Sequence, residues 1–375
     1  AMAPLGAVGD AEVAAASKYL YALFDTFPFV SDADAAALLA MVLSALLRRV
    51  LPAAPIGCIS ASTPGTGKSL LADCVSMLAT GRTAAVAAIG KDAEELEKRV
   101  DALLLKGDAI CSFDIIDRAV KSDVLCQVTT QGFKSVRVLG LSRMVEAPTN
   151  ISLLMTGNNL TLLGDLVRRT VVCNLDAGME RPELREFSRN AVAHVAARRG
   201  PGVRAALTLV KGYLDAGCPR VLDARGQRVP PFGSFELWDQ MVRLPLMWAG
   251  WPDPLQPAES MREQDHEFAG ILHFMQALLD ATDGKALTTG EIIGLMRERQ
   301  PTFAEREDGW RWPALHEAGE AVFGADKTWE AALLGRRFRA WKQRILGGLR
   351  LVEVPSLGRR NGRYWRVERA RPETG

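Results

Sequence analysis

The sequence predicts an α/β fold: a parallel five-stranded sheet with helices on both faces, preceded by an N-terminal helical segment and followed by a small basic C-terminal domain. Three observations predict it. Short apolar runs at 55–60, 83–90, 108–114, 150–159 and 169–176 alternate with segments of helical period, the pattern of parallel strands covered on both faces. A glycine-rich turn, "STPGTGKS" (62–69), lies between the first of these runs and a helix. The composition then shifts towards the C-terminus: all eight tryptophans lie at or after Trp238, and residues 331–375 hold twelve Arg or Lys against three Glu.

The elements follow in order. Helical periodicity covers 10–26 and 33–51, with Ser31 and Asp32 as the N-cap signal of the second helix. The strand 55–60 leads through the glycine-rich turn into a helix over 69–81 that Gly81 stops. A strand at 83–90 precedes an amphipathic helix over 91–107, with Glu and Lys on its wet face. Strand 108–114 ends in an acid, strand 150–159 in amides, and 169–176 is the fifth. Between the third and fourth, a helix near 119–131 precedes two extended runs flanking "LGLS", which predict a β-hairpin over 133–148. Residues 181–217 read as two helices broken by "GPG" (200–202), and 218–260 as a Pro-, Gly- and Trp-rich connector with a short helix near 234–249. The expected domains are therefore a helical collar (1–54), the α/β core with its helical lid (55–217), the connector, and a basic domain over 261–375.

A chain of 375 residues exceeds one ordinary core, so more than one domain is expected. The longest apolar run, 35–47, is too short to cross a bilayer, and no positive region followed by a cleavable apolar core opens the chain. A cytoplasmic protein without a membrane partner is the expectation. Ala1-Met2-Ala3 reads as a tag remnant. The six cysteines form no C-x-x-C pair and the four histidines lack metal-ligand spacing, so reduced thiols and no metal site built from side chains alone are expected. The formal charge of +2 hides +9 in residues 331–375 against −7 elsewhere, which points to a polyanionic partner.

The turn matches the phosphate-binding pattern G-x-x-x-x-G-K-[ST] except at its first position, where Ser62 replaces glycine. The chemistry needs backbone N–H groups curled around phosphates, a lysine, and a hydroxyl for Mg²⁺. Pro64, Gly65, Thr66, Gly67, Lys68, Ser69 and Leu70 supply these, with Lys68 on the β- and γ-phosphates and Ser69 on the metal. Asp114, ending its strand, suits the magnesium shell. Asn158, with Asn159 beside it, suits an amide that senses the γ-phosphate or orients water. Arg168 and Arg169 precede the last strand, where a ring ATPase places an arginine finger that reaches a neighbouring subunit's site. A helix-end charge is the plain alternative for this pair.

With these residues in place the chain resembles the AAA+ family of P-loop NTPases, and in particular the helicase portion of primase–helicase replication proteins of phages, plasmids and genomic islands, relatives of hexameric ring helicases. The resembling stretches run from "FPFVSDADAAALLAMVLSALLRRVLPAAP" through "PGTGKSLLAD", "LLLKGDAICSFD", "VRVLG", "LLMTGNNL" and "GDLVRRTVVCNLDAGMERPELR" to "PPFGSFELWDQMVR", about residues 27–250. The resemblance implies ATP and Mg²⁺ as cofactors, DNA as substrate, a homo-oligomeric ring of six, and a primase domain or protein as partner. Arg181 and Arg185 are candidates for a further phosphate-sensing arginine. One position departs: Ile115 stands where a water-polarising glutamate or asparagine follows the acid, leaving Asp117 or Asn158 for that role. The alternative function is an ATP-switched DNA-binding initiator or loader without strand separation.

The hairpin's cations, Lys134, Arg137 and Arg143, fit a pore loop that tracks a phosphate backbone without reading sequence, the alternative being a solvated hairpin at a subunit edge. At the C-terminus, 286–296 suits the first helix of a helix-turn-helix, with Thr288 or Thr289 as cap. Residues 331–346 form an amphipathic basic helix, and 349–354 pairs with 364–369 around a basic turn. This is the pattern of a winged helix, with Arg337, Lys342, Arg359, Arg360 and Arg363 as the candidate DNA contacts. A protein-docking module for an acidic neighbour is the alternative.

Overall fold

The computed structural model describes residues 6–90, 92–116, 119–137, 143–179, 181–185, 188–223, 226–300, 309–342, 344–354 and 363–370. The chain divides into two compact units, Ala1–Arg262 and Glu263–Gly375.

The first unit runs α1 (Asp10–Ala22), α2 (Asp32–Leu47), β1 (Ile56–Ala61), α3 (Lys68–Thr80), β2 (Ala85–Ala87), α4 (Ala93–Lys106), β3 (Ile110–Ile116), α5 (Asp123–Thr130), β4 (Phe133–Arg137), β5 (Met144–Pro148), β6 (Ser152–Asn158), β7 (Thr170–Leu175), α6 (Ala191–Ala197), α7 (Arg199–Asp215), α8 (Glu236–Trp238) and α9 (Leu244–Trp248). Its five-stranded sheet has the order β2-β3-β6-β1-β7, and every pairing in it is parallel. Because β6 inserts between β1 and β3, the carboxyl ends of three strands stand side by side, the edge at which open α/β sheets bind ligands.

Both faces of that sheet are covered, as an all-parallel sheet requires. On one face lies α2, capped by Ser31, whose hydroxyl accepts from the Asp34 N–H. Its residues from Ala35 to Leu43 are apolar all round and at most 3% exposed, so the helix is central rather than peripheral. On the other face α4 presents Leu96, Val100 and Leu104, one per turn, to a core shared with Phe113, Met155, Leu125 and Val128. Asp92 caps the start of α4, and Gly107 ends it in the left-handed conformation. The antiparallel hairpin β4–β5 adds Val136 and Ala147 to the same core.

Two expectations are corrected here. The helix break lies at Arg198, not at "GPG": α6 ends at Ala197 and α7 starts at Arg199, placing Pro201 in the first turn of α7. A proline there forfeits no intrahelical bond, because the first N–H groups of a helix have no acceptor within it. The stretch 218–260, read from composition as a connector, contributes Phe232, Phe235, Trp238, Val242 and Leu246 to the core around α2. Trp238 is fully buried and donates its indole N–H to Ser44 Oγ at 2.6 Å.

The second unit contains most of α10 (Pro257–Thr282), followed by β8 (Leu287–Thr288), α11 (Thr289–Met296), α12 (Pro313–Phe323), α13 (Ala331–Trp341), β9 (Ile345–Leu346), β10 (Leu349–Val354) and β11 (Tyr364–Arg369). An antiparallel sheet of order β8-β11-β10-β9 packs with the helices around Phe274, Phe338, Trp341 and Trp365. Thr288 opens α11 with a capping box closed by Glu291. Helices α10 and α12 were not expected from the sequence.

All six cysteines are free thiols. Burial pushes those of Cys74 and Cys111 up to about 12, so they stay protonated and inert at neutral pH. Among the described residues no helix is long and apolar enough to cross a membrane.

Candidate active site

After β1 the chain turns through residues 62–67 and enters α3 at Lys68. Gly65 (φ 78°) and Gly67 (φ 102°) take the left-handed conformation that side chains disfavour, so the two glycines that match the pattern are the ones the backbone needs. Ser62 has no positive φ and is exposed, which is why serine stands there without backbone strain. Thr66 Oγ1 donates to the Thr63 carbonyl at 2.6 Å and pins the turn. Gly67 caps α3 without a side chain, leaving the first N–H groups of a thirteen-residue helix directed at the turn, where an anion is favoured.

Polar groups from the start of α3, from β3 and from the end of β6 meet here. Lys68 Nζ donates to Asn158 Oδ1 at 2.6 Å and to the Thr63 carbonyl at 3.2 Å. Ser69 Oγ donates to Asp114 Oδ1 at 3.0 Å, and the same oxygen accepts from Thr156 Oγ1. Partial burial pulls the Lys68 ammonium below the ordinary lysine range, and the Asp114 charge opposes that.

Sheet register sets this meeting. Ala61 of β1 pairs with Asn158 of β6, aligning the start of the turn with the amide. The β3–β6 register shifts between Phe113 and Ile116, so the bulge falls on Asp114-Ile115. A bulge re-aims a side chain out of the pleat. A Cβ on Gly157 would lie 2.5 Å from the Ile116 carbonyl, so only glycine admits this close strand approach. Asn159, at φ 46°, then turns the chain away from the edge, and its N–H donates to the Ala61 carbonyl at 2.9 Å.

Arg168 and Arg169 close a 3₁₀ turn (Gly164–Arg169) that leads into β7, and both pair with Asp165. Hydrogen bonds from the two guanidinium groups hold the Asp165 carboxyl below its usual range. The arginines differ in access: the Arg168 side chain is 54% exposed, that of Arg169 only 12%. Arg185 donates to the Thr26 carbonyl at 2.6 Å. Asp117 lies outside the described residues.

The hairpin corrects one expectation. Lys134 is only 5% exposed, with Nζ 2.9 Å from Glu97 and 2.5 Å from Asp101, both on α4. Its charge is used inside the fold and does not face a phosphate backbone. Arg137 and Arg143 are exposed. In the second unit, Arg337 is exposed on α13, and Lys342 and Arg363 both pair with Glu353. Arg359 and Arg360 lie outside the described residues.

Sequence reasoning missed Thr156. The signal was a hydroxyl inside the apolar strand "SLLMTGN", two residues before Asn158; in the fold it is fully buried. Among the described residues no group of three His, Cys, Asp or Glu could hold a metal. Ser69 and Asp114 form a two-ligand oxygen set, the kind that binds Mg²⁺ together with phosphates and water rather than in an all-protein cage.

No protein-family model matches the chain, and no curated protein matches it. Among solved structures, an A-form apo structure of the NrS-1 C-terminal region is similar at 10% identity and a TM-score of 0.41, covering 98% of this chain and 76% of that one. An apo structure of the same region (305–718) gives 10% identity and a TM-score of 0.39, covering 98% and 77%. Both likenesses are weak.

Proposed function

We propose that this chain is an ATP-driven DNA helicase or translocase that works as a homo-oligomeric ring, six copies in the form its sequence resemblance implies, in replication of a phage, plasmid or genomic island. The observation that carries the proposal is the pair of contacts joining the start of α3 to β6 and β3, Lys68 to Asn158 and Ser69 to Asp114, at 2.6 and 3.0 Å. A lysine and a hydroxyl that enter one helix side by side, opposite an amide and a carboxylate, form a donor set that fits a magnesium nucleotide. The strand order, with β6 between β1 and β3, supports the AAA+ reading of the first unit. The antiparallel sheet with a basic helix supports the winged-helix reading of the second.

The residues divide the work. The backbone from Pro64 to Leu70 would cradle phosphate oxygens, and Lys68, now on Asn158, would turn to them. Ser69 and Asp114 would hold magnesium, which would supply charge neutralisation on the phosphoryl oxygens. Thr156 fixes Asp114 by its hydrogen bond. Asn158, released from Lys68, orients the attacking water. Of the two arginines, Arg168 is assigned as the finger, since its greater exposure lets it leave Asp165 for a neighbouring copy. Arg137, Arg143 and the cations of the second unit hold the DNA backbone.

A second reading, an ATP-switched initiator or loader, is favoured by Ile115, which offers no group to polarise water next to Asp114. ATP-dependent displacement of a labelled strand from forked DNA separates the two. The helicase reading expects displacement, and Lys68→Ala lowers ATP turnover by at least about a hundredfold, the scale of losing one preorganised charge at a phosphoryl site. ATP-dependent DNA binding without displacement supports the switch. A chain that stays monomeric with nucleotide and DNA both present overturns the ring.

A further inference from the structure

In β10, Leu349 and Leu351 face the core, 4% and 1% exposed. Alternation puts Glu353 next on that face, and it pairs across the hairpin with the buried Trp365. The apolar core ends at this point, and Glu353 meets the end of α13. Its Oε2 accepts from Lys342 Nζ at 2.9 Å, and its Oε1 lies 3.5 Å from Arg363 Nη1. Arg339, one turn before Lys342, adds a third positive charge. The Lys342 hydrogen bond and charge, with the charges of Arg363 and Arg339, hold the Glu353 carboxyl below its ordinary range despite some burial.

The geometry has a chemical counterpart. A carboxylate offering each of two oxygens to a different cation has the charge layout of one backbone phosphate, with two non-bridging oxygens sharing a negative charge. The cations come from two elements, the end of α13 and the start of β11, as a surface that grips a polyanion would draw them. Lys342 and Arg363 are 41% and 59% exposed, so these pairs stabilise the fold little. Glu368 differs: its partners Arg350 and Arg366 lie on its own hairpin, so it gathers no charge from the helix.

We propose that Glu353 is a built-in stand-in for a nucleic-acid phosphate, which gathers Arg339, Lys342 and Arg363 on one face and is exchanged for a DNA phosphate on binding. The inference rests on the reading of the second unit as a DNA-contacting domain and adds a residue that tunes the contact. A carboxylate that must be displaced weakens binding and keeps the surface from adhering to any polyanion.

The test uses the full chain and a fluorescein-labelled duplex of random sequence, with affinity measured over a salt series. Glu353→Gln keeps the side-chain shape and removes the charge. It tightens binding by about fivefold at low salt, and the plot of log affinity against log salt steepens by about one. Its thermal midpoint stays that of the wild type. The double variant Lys342→Ala/Arg363→Ala binds about tenfold more weakly, with a slope shallower by about two. Loss in the double variant without gain in Glu353→Gln overturns the stand-in and leaves the DNA-contact reading in place. No change in either variant removes both. Polyglutamate that displaces the duplex from Glu353→Gln as readily as unlabelled DNA does assigns the surface to acidic protein and also overturns the proposal.

Discussion

The hairpins β4–β5 and β10–β11 are both short antiparallel ribbons with cations in or beside them, and those cations are used in opposite ways. In β4 burial alternates exposed-buried-exposed-buried-exposed, which puts Lys134 on the inward face with Val136. There it bridges Glu97 and Asp101, one turn apart on α4. In β10–β11 the inward positions are Leu349, Leu351, Trp365 and Val367, all at most 4% exposed, and Lys342 and Arg363 gather at the margin around Glu353. Register, not the count of cations, decides whether a basic hairpin can grip a polyanion. An inward lysine becomes an internal ion pair, whereas a marginal arginine remains available.

The sharpest way to break this comparison is Lys134→Met. It removes a cation that is 5% exposed and leaves Asp101 and the half-exposed Glu97 without it, at a cost of about 1–2 kcal/mol. In a unit of this size that lowers the thermal midpoint by several degrees, on the order of 2–4 °C per kcal/mol. Chemical denaturation reads the loss directly, while the salt slope of DNA binding stays that of the wild type. An unchanged midpoint with a slope shallower by about one would return Lys134 to the proposed DNA-contacting surface.

Arg137→Ala/Arg143→Ala makes the opposite prediction on the same hairpin. Both side chains are exposed, so stability changes by no more than about 0.5 kcal/mol. DNA affinity falls about uniformly across sequences, and the salt slope becomes shallower by about one to two. Strand displacement falls while ATP turnover without DNA is kept. A destabilised double variant with unaltered binding would place these arginines in the fold with Lys134.

Why the sequence could not distinguish these outcomes is visible in "FKSVR" itself. One face of the strand offers Phe133, Ser135 and Arg137, the other Lys134 and Val136, so each carries one apolar residue and one cation. Periodicity announces a half-buried strand and leaves the face undecided. The choice comes from Glu97 and Asp101, more than thirty residues earlier in the chain. The phosphate turn was more legible, because Gly65, Gly67, Lys68 and Ser69 are local in sequence and need only a preceding strand and a following helix. Asp114 and Asn158 could be singled out as strand-end polar residues, whereas Thr156 could not, since its contact depends on the bulge at Asp114-Ile115. Helix α12 was hidden by Gly319, a poor helix former kept where a Cβ would lie 2.3 Å from Met296. The stretch 218–260 misled for a related reason: proline and glycine suggest a linker, and Trp238 reaches the core through a bond to Ser44, 194 residues away.

The smallest effect, and the most specific, is alkaline. Burial pulls the Lys134 ammonium down, but the hydrogen bonds it donates to Asp101 and Glu97, with their charges, outweigh it and leave the group above its ordinary value. A cation raised on folding contributes stability that is fully present below its unfolded value, about 10.4 for lysine, and is lost as pH rises through the folded value. The stability gap between wild type and Lys134→Met is therefore flat from neutral pH to about 10 and narrows above it. Arg137→Ala/Arg143→Ala tracks the wild type throughout this range, because both side chains are exposed. Unfolding free energies measured by urea titration at stepped pH give the gap. A gap that begins to close near neutral pH would mean that Lys134 is not the titrating partner of Asp101 and Glu97, and the contrast between the two hairpins would lose its electrostatic basis.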